Sequence, residues 1–117
     1  MSIRTERVGE EIHKVLSERL IRGLRDPLPG FVTIARVEVT SDFALAKVWV
    51  SVIGTEPEKS GALAVLQANR GALRHEVGKR VRLRQTPELS FIFDESGERA
   101  ARVWALLDEE KRRGGAS

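Results

Sequence analysis

Residues 44–52 read Ala44-Leu45-Ala46-Lys47-Val48-Trp49-Val50-Ser51-Val52. Ala46, Val48, Val50 and Val52 take every second position, with Lys47, Trp49 and Ser51 between them. Side chains of a strand point alternately to its two faces, so this stretch predicts one buried face and one partly wet face. That alternation is expected of an antiparallel sheet covered on one side.

Working outward, Val32 to Val39 is also rich in β-branched residues and predicts a second strand. Thr40-Ser41-Asp42-Phe43 holds turn formers, so the two strands are expected to form a hairpin. Before them, Val8, Ile12, Val15, Leu16, Leu20 and Leu24 recur at helical spacing and predict a helix over Thr5–Leu24. Asp26-Pro27-Leu28-Pro29-Gly30 stops it. After the hairpin, Ser60 is the expected N-cap of a helix carrying Ala62, Leu63, Val65 and Leu66. The pattern resumes beyond Gly71 with Leu73, Val77 and Val81, so Gly71 marks an expected kink. Thr86-Pro87 ends that helix, and Leu89, Phe91 and Phe93 alternate as a third strand. Asp94-Glu95-Ser96-Gly97 reads as a turn. Glu98 to Lys111 is a final helix expected to bury Ala100, Val103, Trp104 and Leu107.

The order is α-β-β-α-α-β-α, an α+β domain with helices over one face of a three-stranded sheet. At 117 residues the chain is expected to hold one domain, over 1–111, with a flexible tail over 112–117. Trp49 is expected beneath the N-terminal or C-terminal helix, the alternative being an exposed platform for a nucleic-acid base.

Charged residues make up 32% of the chain and hydrophobic residues 41%, which fits a globular protein rather than a disordered one. There is no cysteine, so disulfides, thiolate metal sites and cysteine nucleophiles are excluded. Met1 to Glu11 is charged and holds no apolar core, so no secretory signal is expected. No apolar run has the length of a membrane span, and a cytoplasmic location is expected.

The net charge of +3 favours anionic partners only if the cations are gathered. Between Arg70 and Arg84 there are six (Arg70, Arg74, Lys79, Arg80, Arg82 and Arg84) against one acid, Glu76. Leu73, Val77 and Val81 follow the i, i+4, i+8 spacing of a core stripe, leaving the basic positions outward. Lys79 and Arg82 stand three apart, and Arg80 and Arg84 four apart, as helical neighbours would. Gly71, without a Cβ, lets a polymer backbone come close. A platform for an RNA backbone follows; the competing reading is a solvated helix face paired with acids of the first or last helix.

Catalytic readings fare worse. Gly71 and Gly78-Lys79-Arg80 lack the spacing and the Ser or Thr of a phosphate-binding loop. His13 and His75 have no partner at ligand spacing. Ser41-Asp42 and Asp94-Glu95-Ser96 have turn composition. No enzyme, metal site or cofactor is expected.

The chain resembles the ribosome-binding factor A family over roughly 4–107. The resemblance rests on Phe31-Val32-Thr33-Ile34, on Val39-Thr40-Ser41-Asp42, and on Ala46-Lys47-Val48-Trp49-Val50-Ser51-Val52. It rests most on Leu83-Arg84-Gln85-Thr86-Pro87-Glu88-Leu89-Ser90-Phe91 followed by Asp94-Glu95-Ser96, with Arg4 and Arg7-Val8 at the start. An Arg-any-any-Pro-Glu-Leu-any-Phe run entering a strand is not explained by strand propensity.

The resemblance implies a type-II KH-like domain, α-β-β-(kinked α-α)-β with a C-terminal helix. KH domains clamp RNA with a Gly-any-any-Gly loop; this family instead has an Ala-any-Gly kink, where the present chain reads Asn69-Arg70-Gly71. The implied partners are the free 30S ribosomal subunit and its 16S ribosomal RNA, with an assembly GTPase for release. The implied role is late maturation of the precursor RNA, most needed in the cold, by binding rather than cutting. A monomer is expected. The candidate RNA-binding residues are Arg70, Gly71, Arg74, Lys79, Arg80, Arg82 and Arg84, helped by Arg4, Arg7 and Lys47. The alternative from another class is a protein-interaction module docking through a sheet edge or terminal helix.

Overall fold

A computed structural model describes residues 2–115. Its elements run α1 (Ile3–Arg22), β1 (Phe31–Val39), β2 (Leu45–Ile53), α2 (Glu56–Ala68), α3 (Arg70–Arg80), β3 (Glu88–Phe93) and α4 (Ser96–Gly115), the order expected. Strand order is β1-β2-β3. β1 and β2 are antiparallel, but β3 runs parallel to β2, so the sheet is mixed. The reason is the connection: α2 and α3 together form a crossover that returns the chain to the same end of the sheet.

The alternation in β2 holds. Ala46, Val48, Val50 and Val52 are buried, and Lys47, Trp49 and Ser51 are half-buried on the other face. In β1 the register slips between Ile34 and Arg36. Ala35 is thus an extra residue, and the inward set changes from Val32 and Ile34 to Val37 and Val39. Leu89 and Phe91 of β3 extend the same buried face. Val8, Ile12, Val15 and Leu16 of α1, Ala62 and Leu66 of α2, and Leu73 and Val77 of α3 cover it. Each such large aliphatic side chain contributes about 1.5–3 kcal/mol by leaving water.

Helix boundaries depart from the periodicity where caps decide them. α1 begins at Ile3 because Ser2 accepts the Thr5 N–H at 3.1 Å while Thr5 Oγ1 accepts the Ser2 N–H at 3.1 Å. It ends at Gly23, whose φ of 96° no other residue adopts easily, so Leu24 lies beyond the helix. α2 begins a turn before the expected Ser60 cap: Thr55 is the N-cap, and Glu58 accepts the Thr55 N–H at 2.8 Å. The hairpin turn is tied by Asp42, which accepts from Thr40 Oγ1 at 2.7 Å and from the Ala44 N–H at 3.0 Å.

Two expectations about burial fail. α4 does not bury its apolar stripe: Val103 is 53% exposed, Trp104 72% and Leu107 53%. Only its first turns approach the body, where Gly97 and Ala101 lie beside Ser51–Gly54. Trp49 lies beneath no helix. It stands on the open sheet face with the Arg36 guanidinium stacked on its ring at 4.0 Å. α4 also runs past Lys111, where Arg112 pairs with Asp108 one turn back at 2.8 Å. The remainder of the expected tail, 116–117, lies outside the described residues.

Candidate nucleic-acid interface

The cationic run spans two structural contexts. α3 ends at Arg80, and Val81 is already extended, with φ −111° and ψ 122°. Lys79 and Arg82 are therefore not neighbours on a helix, nor are Arg80 and Arg84; Arg82 and Arg84 belong to the loop that leads to β3. The kink lies at Asn69 rather than Gly71. Asn69 has φ −97° and ψ 7°, and its side chain donates to Val65 O at 2.8 Å and Asp26 Oδ2 at 3.3 Å instead of capping α3. Gly71 sits in the first turn of α3, and a Cβ built on it would meet nothing within 4 Å.

That open space makes one outcome simple. Gly71→Ala is expected to stabilise the protein by about 0.5–1 kcal/mol, since alanine restricts the unfolded chain and favours helix. Urea denaturation reads it, and a loss of stability would mean the α3 start is more constrained than its surroundings indicate.

Two of the six cations are engaged within the protein. Arg74 donates to the carbonyl oxygens of Thr86 at 2.7 Å and Pro87 at 3.3 Å, with Glu88 at 3.8 Å. It ties α3 to the chain entering β3. Arg80 pairs with Glu18 of α1 at 2.6 Å, and that guanidinium holds the Glu18 carboxyl below its usual pKa. The lone acid Glu76 is paired as well, with Arg22 of α1 at 2.5 Å, whose donated bond lowers its pKa. The competing reading, a helix face paired with acids of α1, thus holds for Arg80 alone among the six.

Arg70, Lys79, Arg82 and Arg84 are exposed and make no ion pair among the described residues. Arg4 joins Arg84: the two line a recess of about 410 Å³ with Asp42, Phe43, Leu83 and Gln85, and Arg4 lies 5.2 Å from the Phe43 ring centre. Arg7 is eleven residues before Glu18, three turns of helix, so it shares that α3-facing side about 16 Å further along. Lys47 is not brought to this surface. It lies on the open sheet face, in register with Glu38 and Ser90, with the sheet between it and the helices.

Sequence reasoning missed the groove that runs beside these cations. Gly71, Arg74, His75, Gly78, Lys79 and Thr86 line a groove of about 470 Å³. It depends on Gly78, because a Cβ there would come within 2.8 Å of Thr86 Oγ1. Gly78 gave the only sequence signal, and it says nothing of Thr86 eight positions on. Among the described residues no helix is long and apolar enough to cross a membrane.

Comparison with known proteins agrees with this architecture. The family model described as ribosome-binding factor A matches residues 4–107. Ribosome-binding factor A of Brevibacillus brevis is 51% identical over 106 residues, covering 91% of this chain and 88% of the relative. The solution structure of a Thermotoga maritima protein assigned as a ribosome binding factor A superimposes with a TM-score of 0.70 at 35% identity, over 82% of this chain and 92% of that one. The Thermus thermophilus ribosome binding factor A, as fitted into a cryo-EM map of a 30S–RbfA complex, gives 0.64 at 26% identity, over 78% and 96%. The KH-like α+β fold is common to them, and with nearly the whole of its helical layer and sheet matched, the chain belongs to the ribosome-binding factor A family.

Proposed function

We propose that this protein assists maturation of the small ribosomal subunit by binding the free 30S particle and its 16S ribosomal RNA in the cytoplasm. The observation that carries the reading is that Arg70, Lys79, Arg82 and Arg84 are exposed and make no ion pair among the described residues, and that Arg84 shares a recess with Arg4. Family membership and the 30S complex of the Thermus thermophilus relative support it. Arginine and lysine on phosphates position an RNA without reading its sequence, which suits a factor that holds one RNA conformation. Gly71, with open space where a Cβ would stand, lets the ribose-phosphate chain approach the start of α3, while Gly78 lets Thr86 pack against the helix. Arg74 and Arg80 hold the platform in shape rather than contact RNA. The protein acts by binding while ribonucleases trim the precursor, and an assembly GTPase releases it.

Sedimentation through a sucrose cushion tests this. The protein is expected to pellet with isolated small subunits and to stay in the supernatant with joined ribosomes. Equal pelleting with both, or with neither, would overturn the reading. The Gly71→Ala protein, more stable than the parent, is expected to pellet less well if close backbone approach matters.

A further inference from the structure

We propose that the protein pairs weakly with a second copy of itself through α4, in antiparallel fashion. The helix presents Ala100, Val103, Trp104 and Leu107 at i, i+3, i+4 and i+7, the spacing of a helix-pairing seam. Leu106, 64% exposed, borders the seam, and Val103, Trp104 and Leu107 within it are likewise more than half exposed among the described residues. An apolar stripe this continuous on an exposed helix calls for a partner.

Charge selects the occupant. Arg99, exposed and 3.5 Å from Glu95 one turn back, stands before the stripe and Glu110 after it, eleven residues apart, so both lie on one flank of the helix, within about 20° of each other. In an antiparallel pair with its twofold axis between Trp104 and Ala105, each Arg99 meets the other copy's Glu110, twice over. In a parallel pair the flank that carries Arg99 and Glu110 lies on opposite sides of the seam in the two copies, so these charges do not meet. The pattern is therefore complementary to itself in one orientation only. The seam is about three turns long and buries less than the roughly 1,000 Å² of a stable interface, so the dimer forms only at high concentration. The monomer expected from the sequence is then the dilute form. This inference does not depend on the basic surface.

Sedimentation equilibrium on the full chain, from about 10 µM to about 1 mM, tests it. The average mass is expected to rise toward the dimer, with Trp104 emission moving to shorter wavelength. Trp104→Glu, on an exposed position that leaves the core intact, is expected to remain monomeric throughout. Arg99→Glu and Glu110→Arg are each expected to weaken pairing at least about tenfold, and an equimolar mixture of the two to restore it, because both cross-pairs are again opposite in sign. A wild-type mass constant at the monomer value would overturn the proposal. So would association that survives Trp104→Glu, or a mixture no tighter than its components.

Discussion

Gly9→Ala is expected to lower stability by about 2–3 kcal/mol and the melting temperature by about 8–12 °C. The sign is opposite to that of the same exchange at Gly71, and the difference is entirely in the surroundings. On helix propensity alone, alanine at position 9 would gain about 1 kcal/mol. But Gly9 is buried where α1 crosses β1, and a Cβ there would lie 2.8 Å from the Val37 carbonyl oxygen. That oxygen is backbone, in a strand paired to β2, and cannot rotate away. α1 would have to lift, drawing Val8 and Ile12 from the face formed by Ile34 and Val39. Partial loss of packing at two aliphatic residues outweighs the propensity gain. Thermal unfolding followed by circular dichroism measures it. A melting temperature that stayed level or rose would show that α1 slides freely on the sheet.

The sequence made some of this visible and hid the rest for identifiable reasons. β2 was legible because a fully half-buried central strand imposes strict alternation on its own residues. β1 was legible as a strand over Val32–Val39 but not in its bulge, since Ala35 is an extra residue whose only trace is that the apolar positions change parity between Ile34 and Val37. The start of α2 was in the sequence as Thr55-Glu56-Pro57-Glu58, a capping-box pattern with proline near the first turn, but the apolar residues that drew attention to Ser60 come later. α4 shows the limit of amphipathicity: the stripe of Ala100, Val103, Trp104 and Leu107 is real, yet periodicity states only that a face is apolar, not that this chain covers it. The site was legible as a density of charge and not as a geometry. Nothing local distinguishes Arg80, whose partner Glu18 is 62 positions away, from Arg82, which has none among the described residues. Nor does the run reveal that the helix ends between them, because arginine and valine suit either state.

Replacing Arg70, Lys79, Arg82 and Arg84 together by glutamine is expected to cut affinity for single-stranded segments of 16S ribosomal RNA by several hundredfold at about 0.1 M salt. If the exposed cations of α3 and of the loop after it, with Arg4, neutralise about five phosphates, log affinity falls against log salt with a slope near −3.5, at about 0.7 for each phosphate on a single strand. Removing four of those contacts leaves a slope near −0.7, and the four lost terms multiply to roughly 600-fold at that salt. Filter binding or fluorescence anisotropy across a salt series reads both quantities. Folding should be unaffected, because the four side chains are exposed and unpaired. Arg74 supplies the control. Its guanidinium is committed to the Thr86 and Pro87 carbonyls, so Arg74→Gln is expected to leave the slope in place while lowering stability by about 1–2 kcal/mol, as charged donors left unmade do at a half-exposed site. The two variants thus separate charge that binds from charge that braces. An unchanged slope in the fourfold variant would move the RNA off these four residues, and the open sheet face, with Arg36 stacked on Trp49 and Lys47 beside it, would be the surface to test next.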